Sequence, residues 1–359
     1  MAKTPPAGVV KLVDAIRFRL GALQQKLAPP PIAALDFVTG MWNFQIAYTL
    51  CELGIPDRLM DQPVSTESIA KAISVPERSV YRLLRAASNI GLTKEVSGRA
   101  FRATPICKAL RHEALGSVRD FILFQGRYAW THWGGLKDCV KTGRSAIETI
   151  HGKTPFEYFT SPEIAETFNR AMTGISAMTV EALLGAYSFA RFRKVADIGG
   201  GHGRLLGTIL KQYPALHGAL LDLPGVVAGA PPILEELGVG DRCQVLEADF
   251  FQPLPSVDAD LYLMKSVIHD WVDPDAVRIL KNVRAQMRND SRLALCEVVV
   301  PGLNQPSFAK HLDLEMLVHA SGRERTESEY AALFATAGLR LVHITPTAGP
   351  MSLIEAEPV

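Results

Sequence analysis

The segment Val195–Gly203 has the most distinctive chemistry in this chain. It reads Val-Ala-Asp-Ile-Gly-Gly-Gly-His-Gly, a short apolar run that ends in an acid and then opens into glycines. Apolar residues at helical spacing follow at once, from Leu205 to Leu210. A strand, a glycine turn and a helix in this order let a backbone approach a nucleotide closely, because glycine lacks Cβ and adopts positive φ. The segment therefore predicts a nucleotide-binding loop.

The glycine spacing narrows the choice of nucleotide. The dinucleotide pattern Gly-x-Gly-x-x-Gly fails because Arg204 occupies its third position, and no Gly-Lys-Ser/Thr follows to make a P-loop. What remains, Asp197-x-Gly199-x-Gly201-x-Gly203, resembles the S-adenosylmethionine (SAM) loop of methyltransferases. For the loop taken alone, a glycine-rich turn without any ligand is the alternative.

Two acids downstream favour the nucleotide interpretation. Asp222 ends a predicted strand at 218–222, where a carboxylate can accept hydrogen bonds from both ribose hydroxyls. Asp249 lies at the tip of a third predicted strand, 245–251, beside Phe250. That pairing suits adenine, since the acid accepts from the exocyclic amine while the aromatic ring covers the base.

His269 is the candidate catalytic group. It follows a predicted strand at 260–268, and catalytic groups in open α/β sheets gather at the carboxyl ends of strands. A histidine can remove a proton from a weakly acidic hydroxyl near neutral pH. The alternative is a helix-capping turn, in which Asp270 or Asp273 starts the next helix. For this histidine considered alone, the capping turn is favoured.

The elements that must position these groups form a predicted α/β domain. Further strands are expected at 292–300, 339–344 and 352–357, so residues 191–359 are assigned to a Rossmann-like SAM-binding catalytic domain. Residues 111–190 are predicted to be helical and rich in aromatics and methionine. Most of those side chains suit core packing, and a few suit a pocket for a flat organic substrate.

The N-terminal part predicts a winged helix preceded by an arm. Residues 1–31 form the arm, ending at a stiff proline patch, and 32–110 form the domain. Its outline is a helix at 65–73, a second helix after a capping box at 74–77, and a hairpin before residue 110. DNA binding is one interpretation, since the second helix carries three arginines. The absence of a basic cluster elsewhere favours a dimerisation domain.

The composition describes an ordinary globular protein. The 359 residues carry a net charge of +1, which gives no electrostatic reason for nucleic-acid or membrane partners. Five scattered cysteines lack any Cys-x-x-Cys pair, predicting a reducing compartment without a zinc site. The N-terminus lacks a signal-peptide pattern, and the longest uncharged stretch, Phe37–Cys51, is too short to cross a bilayer. A cytoplasmic location is therefore expected.

The order and spacing of these motifs resemble the small-molecule O-methyltransferases of the caffeic-acid and acetylserotonin type, as a bacterial-like member. The resemblance covers nearly the whole chain and rests on these segments: Asp197–Gly203, Leu221–Pro224, Ala248–Phe251, Met264–Lys265, His269–Trp271, Trp133–Leu136, Lys141–Arg144, Phe168–Met172 and Gly322–Glu327. It implies an α/β fold with a C-terminal Rossmann-like SAM domain and an N-terminal, mostly helical winged-helix dimerisation domain. It also implies a homodimer.

The resemblance implies a role for each matching residue. His269 matches the general base, and Glu297 and Glu324 match two acids that orient it. Glu324 precedes a capping box at 326–329 that occupies Glu329 but leaves Glu324 free. The SAM contacts implied by the loop and by the resemblance are Asp197, Gly199, Gly201, Asp222, Asp249, Phe250 and Lys265. The substrate contacts implied are Asp270 and two methionines that could sandwich an aromatic ring, Met172 and Met316.

The function expected is SAM-dependent methylation of a hydroxyl group on a small aromatic metabolite. N-methylation, or hydroxylation or decarboxylation by a SAM-binding relative, is the alternative within the fold. A DNA-binding regulator that senses SAM is the alternative outside it. No metal is expected, because the His311/Glu315 pair is interpreted as two ordinary surface or core residues of a helix.

Overall fold

The computed structural model describes residues 5–114 and 116–359. Residues 1–4, at the start of the predicted arm, and residue 115, in the predicted helical region, lie outside this description. The chain divides into two compact units. The first contains the chain up to Ala15, Leu136–Ile150 and Thr179–Val359, and the second contains Ile16–Gly135 and His151–Met178.

The helices and strands alternate in the C-terminal half, while the N-terminal half is mostly helical. The helices are α1 (Ala7–Leu27), α2 (Pro30–Glu52), α3 (Thr66–Ala72), α4 (Glu77–Asn89), α5 (Pro105–Lys108), α6 (Arg119–Phe124), α7 (Trp130–Gly134), α8 (Leu136–Thr142), α9 (Ala146–His151), α10 (Pro155–Phe159), α11 (Pro162–Ala186), α12 (Arg204–Gln212), α13 (Pro224–Val227), α14 (Ala230–Glu236), α15 (Asp273–Gln286), α16 (Ala309–His319) and α17 (Glu327–Thr336). The strands are β1 (Val64–Ser65), β2 (Thr93–Val96), β3 (Ala100–Ala103), β4 (Lys194–Ile198), β5 (His217–Asp222), β6 (Cys243–Glu247), β7 (Leu261–Lys265), β8 (Arg292–Val300), β9 (Arg325–Thr326), β10 (Leu339–Pro346) and β11 (Met351–Pro358).

The first unit is built on one large sheet with strand order β10-β11-β8-β7-β4-β5-β6. The five strands from β8 to β6 run parallel, and β11 and β10 add an antiparallel edge. The chain leaves β4 toward β5 and β6, then returns to place β7 on the other side of β4. The carboxyl ends of β4 and β7 therefore flank the point where strand order reverses, which is where open α/β sheets bind ligands.

Alternating side chains of the central strands bury both faces of this sheet. Ala196 and Ile198 of β4 pack with Tyr262 and Met264 of β7 on one face, against α15 and α17. The intervening residues, Val195, Leu261 and Leu263, pack on the opposite face against α12 and α14. Two-sided burial is why these strands are near-continuous apolar runs in the sequence. The predicted α/β, Rossmann-like fold class is confirmed.

The second unit contains the winged helix. Its antiparallel sheet has the order β1-β3-β2, and β2 and β3 form the predicted hairpin. The helix α3 begins as predicted, with Ser65 accepting from the Ser68 N–H at 3.2 Å. The predicted capping box at 74–77 is wrong. Pro76 caps α4 and has no polar side chain, while Glu77 accepts a hydrogen bond from Thr66.

The region before the winged helix is helical. The helix α1, in which no residue is buried, is not predicted from the sequence. The proline patch forms the start of α2, where the missing N–H of proline costs nothing because the first helical amides have no partner within the helix. Among the described helices, none is sufficiently long and apolar for a membrane crossing.

Candidate active site

The glycine loop joins β4 to α12 in a conformation that needs glycine. Gly199, Gly201 and Gly203 have φ values of 68°, 61° and 76°. A Cβ at Gly199 would lie 2.9 Å from the Val267 side chain, and one at Gly200 would lie 2.7 Å from the Asp197 carboxylate. Both backbone conformation and close packing therefore exclude side chains here.

Asp197 lies fully buried beneath this loop. Neither of its carboxylate oxygens has a hydrogen-bond partner among the residues described. Burial raises the pKa of Asp197 to about 7, against the opposing effect of the Lys265 amino group. A buried acid without hydrogen bonds is costly for a protein to keep. Its place under a nucleotide-type loop fits a ligand that brings positive charge, as the ammonium and sulfonium of SAM would.

The two acids that follow along the sheet edge are held by backbone amides. Asp222 accepts from the N–H groups of Gly201 and Leu223, both at 2.7 Å. Asp249 accepts from the Phe251 N–H at 2.9 Å. Each carboxylate oxygen can accept a second hydrogen bond, so both acids can still bind hydroxyl or amine donors. The residues present thus fit a ribose at Asp222 and an adenine amine at Asp249.

An aromatic group accompanies these acids. The ring of Phe250 lies 3.6 Å from the position that a Gly199 Cβ would occupy. It makes edge contacts with Phe251 and Trp271, at centroid distances of 5.2 and 6.0 Å. The structure therefore brings the predicted loop glycine and the predicted adenine-covering ring together. Lys265, at the end of the neighbouring β7, is half-buried.

His269 lies in a short 3₁₀ turn, Ile268–Asp270, just after β7. Its side chain is almost buried, and Nδ1 lies 2.8 Å from Oε1 of Glu324. The other ring nitrogen, Nε2, lies 3.6 Å from Oδ1 of the half-exposed Asp270. Because Glu324 occupies Nδ1, Nε2 is the nitrogen available to a substrate.

Glu297 supports the same turn in a different way. It is fully buried in β8, and its Oε1 accepts the backbone N–H groups of Val267 and Ile268 at 3.0 and 2.9 Å. Its Oε2 is 3.7 Å from His269 Nδ1, which is beyond hydrogen-bond distance. Burial raises the pKa of Glu297, and repulsion from Glu324 adds to that, while His269 opposes it.

The charge balance of this cluster favours protonated histidine. Burial alone would lower the pKa of His269, but the carboxylates of Glu297, Asp270 and Glu324 outweigh it and raise the pKa to about 10. The acids around it thus favour the charged form of His269. The donor atoms of His269, Glu297 and Glu324 all lie within 4.8 Å of one another, a spacing that a metal ion could also use. The expected absence of a metal stays a prediction.

The helix α15 begins at Asp273, as the helix-capping alternative predicts, but Asp273 is not its capping residue. The residue that caps α15 is Val272, without any side-chain hydrogen bond. Asp273 is the first helical residue, and its carboxylate instead binds Arg325 and Arg323, at 2.8 and 2.9 Å. The capping box of α17 is confirmed, since Thr326 and Glu329 exchange both expected hydrogen bonds. Glu329 is thereby occupied, as the sequence predicted.

Sequence reasoning missed Arg325, which is fully buried although it follows Glu324 directly. No local pattern marks it, because its partners lie far away in the chain. The predicted pocket residues divide between the two units: Met316 is half-buried on α16 in the first, and Met172 is half-buried on α11 in the second. Their sandwiching of an aromatic ring stays a prediction.

Comparison with known proteins decides the family. The chain matches the O-methyltransferase domain over residues 133–340 and the O-methyltransferase dimerisation domain over residues 35–112. The chain belongs to the O-methyltransferase family. This confirms the resemblance seen in the sequence.

The relatives of this methyltransferase include enzymes with different named acceptors. It is 36% identical over 326 residues to the phenazine O-methyltransferase PhzM of Lysobacter antibioticus, covering 90% of this chain and 95% of that protein. It is 32% identical to the 8-amino-8-demethylriboflavin N,N-dimethyltransferase of Streptomyces davaonensis, covering 86% and 90%. The crystal structure of CalO1, a methyltransferase in calicheamicin biosynthesis with S-adenosylhomocysteine (SAH) bound, aligns with a TM-score of 0.83 at 31% identity, covering 92% and 98%. The protein is thus a SAM-dependent methyltransferase of small molecules.

Proposed function

We propose that this methyltransferase moves the methyl group of SAM to a hydroxyl of a small aromatic metabolite, with His269 as the general base. The observation that carries the proposal is the 2.8 Å contact between His269 Nδ1 and Glu324. It fixes the ring, leaves Nε2 for the acceptor and stabilises the imidazolium formed when a proton arrives. One relative is named as a phenazine O-methyltransferase, and phenazine is an aromatic ring system.

The proton follows a simple route. SAM, when bound, supplies a methyl group activated by its sulfonium. The acceptor hydroxyl would donate to Nε2 of His269 and pass its proton to that nitrogen as the oxygen takes the methyl group, while the sulfur–carbon bond of the donor breaks and SAH leaves. The base must begin neutral, yet its pKa is about 10 without ligands. Repulsion between the positive donor and the imidazolium lowers this pKa in the complex, because like charges disfavour the charged form.

We assign the donor site to the sheet edge formed by β4, β5 and β6. Asp197, Gly199 and Gly201 would hold the amino-acid end of SAM. Asp222 would bind the ribose, and Asp249 with Phe250 would bind the adenine, with Lys265 nearby at the end of β7. The support is the positive φ of the loop glycines, the free acceptor capacity of both acids, and the unsatisfied carboxylate of Asp197.

We assign the acceptor site to Asp270 and Met316 of the first unit, while a role for Met172 remains only what the family resemblance implies. Asp270 is supported by its position 3.6 Å from the reactive nitrogen and by its exposure. The two methionines rest on the family resemblance alone. Their flexible, polarizable side chains suit contact with aromatic rings.

N-methylation is a second candidate, because one relative is named as an N,N-dimethyltransferase. The two reactions differ in their need for a base. A hydroxyl must lose its proton during attack, whereas an aromatic amine is already nucleophilic when neutral. Loss of His269 should therefore harm O-methylation far more than N-methylation.

We propose a homodimer that uses residues 32–110 as its dimerisation domain, with 1–31 as an arm before it and 111–190 joining it to the catalytic domain at 191–359. The family match at 35–112 supports this. Large apolar side chains are also exposed on α1 and α2, including Leu20, Phe37 and Trp42. Light scattering of the full chain should give twice the chain mass, and Phe37→Glu with Trp42→Glu should lower it. A monomeric wild type would contradict the assignment.

We place the enzyme in the cytoplasm. All five cysteines are buried and unpaired in this structure, as expected for a protein made in a reducing compartment.

A single assay tests the reaction. Purified enzyme with methyl-labelled SAM would be screened against phenols, flavonoids, anthraquinones and aromatic amines, beside His269→Ala. Transfer to a phenolic oxygen, lost by about two to four orders of magnitude in the variant, is expected. Labelled amines alone, or a fully active variant, would overturn the proposal.

A further inference from the structure

Four consecutive residues, Gly322–Arg325, contact the turn that carries His269. We call these residues the 322–325 segment and residues 268–271 the His269 turn. Glu324 binds the imidazole ring, as described above. The other three residues contact the backbone of the turn or the start of α15, and Arg323 also lies 3.4 Å from Oε1 of Glu329. Proton transfer to His269 does not by itself explain why these additional contacts are present.

Gly322 lies directly against the backbone of the turn. A Cβ at this position would be 2.0 Å from the carbonyl oxygen of His269 and 2.6 Å from the carbonyl carbon of Asp270. These are backbone atoms, so no side-chain rotation could relieve the overlap. Next to it, the Arg323 N–H donates to the same His269 carbonyl at 2.8 Å. Glycine is therefore required here by close approach.

Arg325 holds both ends of the turn. Its guanidinium is fully buried and donates to the carbonyl oxygens of Ile268 and Trp271, at 3.0 and 2.8 Å. Nε and Nη2 also bind Oδ1 of Asp273, at 3.0 and 2.8 Å. The charge of Arg325 is thereby paired by an acid at the first position of α15. The planar guanidinium, with five N–H donors, can bind two carbonyl oxygens and a carboxylate at once. A lysine ammonium cannot reproduce this geometry.

We infer that Gly322 and Arg325 are positioning residues, which fix the backbone of the His269 turn so that the ring meets both Glu324 and the substrate. Glu324 lies between them in the chain, so one segment sets the position of the histidine main chain and of its ring partner together. The catalytic consequence rests on the proposed role of His269 as base. The geometric consequence, a His269 held against Glu324 with a raised pKa, does not.

The test compares Gly322→Ala, Arg325→Lys and Asp273→Asn with wild type. Asp273 is half-exposed, so its variant should fold even if a buried substitution does not. Nitrogen-15 NMR of the histidine rings in the ligand-free protein would measure the pKa of His269, with His269→Gln used to assign the resonance. The pKa should fall toward the ordinary histidine value in all three, because a displaced ring loses its contact with Glu324. Calorimetry should show unchanged SAH binding.

Steady-state kinetics supplies the second measurement. A shift of about 1 Å in a catalytic group can cost on the order of a hundredfold in rate. We expect kcat to fall about ten- to a hundredfold in Gly322→Ala and Arg325→Lys, and less in Asp273→Asn, with KM for SAM unchanged. If the NMR pKa falls while methyl transfer is unaffected, positioning holds and the base assignment fails.

Matched controls separate positioning from general loss of stability. Arg284 also donates to backbone carbonyls, those of Gly338, Met287 and Val359, so Arg284→Lys removes an equivalent brace elsewhere. Gly240→Ala adds a methyl group where only a side chain lies 3.8 Å away. Neither control should change the pKa of His269. The inference would be overturned if folded Gly322→Ala kept the wild-type pKa of His269 and the wild-type kcat. It would also be overturned if folded Asp273→Asn and Arg325→Lys both kept them.

Discussion

Glu324 touches the imidazole of His269 at 2.8 Å, whereas Glu297, equally buried, lies 3.7 Å from the same nitrogen. Two acids that looked equivalent in the sequence therefore act differently. Glu324 holds the ring, and Glu297 holds the main chain before it through the N–H groups of Val267 and Ile268. Separate substitutions should distinguish these roles.

Glu324→Gln should lower kcat by about ten- to a hundredfold while leaving SAH affinity unchanged. The amide keeps the shape of the side chain but removes the charge that stabilises the imidazolium. The pKa that governs kcat should also move down, since one of the carboxylates raising it is lost. A pH–rate profile measured between pH 5 and 10 checks this, and an unchanged profile would contradict the role given to Glu324.

Glu297→Ala should mainly destabilise the protein. Two backbone N–H groups would lose their acceptor inside the core, at about 1–3 kcal/mol for each unsatisfied group. Thermal unfolding should show a lower Tm than that of the wild type. The fall in kcat of the folded variant should be smaller than the fall in Glu324→Gln. A variant as stable as the wild type would show that the two amides find another partner.

The stability of the ligand-free enzyme should depend on the ionisation of His269. Its pKa is raised from the ordinary 6.5 to about 10 in the folded protein. The stabilisation from this group is thus fully present below about pH 6.5 and is lost as the pH rises through about 10. Chemical denaturation across that range should show wild type losing its advantage over His269→Gln. Parallel curves for both proteins would argue against a protonated histidine.

Asp222→Ala should weaken SAM and SAH binding by about a hundredfold or more, the scale of two lost charge-assisted hydrogen bonds at about 1.5–3 kcal/mol each. The substitution removes the proposed ribose acceptor and releases the Gly201 amide that shapes the loop. Calorimetry with SAH measures the change. Asp241→Ala, an exposed acid outside the edge formed by β4, β5 and β6, is the control and should bind normally.

Gly199→Ala should impair donor binding and stability together. Alanine is strained at a φ of 68°, and its Cβ would meet the Val267 side chain at 2.9 Å. Gly225→Ala is a matched control, since nothing lies within 4 Å of its added methyl group and its φ is not positive. Normal SAH affinity in folded Gly199→Ala would remove the loop from the proposed donor site.

The parts predicted well from sequence are those set by local patterns. Strand β8 was predicted at its observed limits, Arg292–Val300, because a continuous apolar run of this kind is typical of a strand buried on both faces of a sheet. The Thr326–Glu329 capping box needs only residues three apart and was also found. The His269–Glu324 contact required the family resemblance, because no local rule joins residues 55 positions apart.

The misses have physical causes of the same kind. A capping box was expected at 74–77, but the chain places Pro76 at the cap and sends Glu77 to Thr66 instead. Asp273 was predicted as a possible helix cap, but its carboxylate binds the distant Arg325. In both cases the acid binds a residue outside the expected capping pattern. The helix α1 was not predicted. None of its residues is buried, so it has no core-facing side that a periodic apolar pattern would mark.

The reversal of strand order between β4 and β7 has a consequence for how the enzyme can change. The acids proposed to bind the ribose and the adenine lie at the end of β5 and just after β6, on one side of β4. On the other side, His269 follows β7 and Glu297 lies on β8. A substitution at Asp222, on β5, can therefore change ribose binding without altering the residues that hold His269. An engineer could broaden coenzyme analogue tolerance at one flank and leave the reactivity of the imidazole intact.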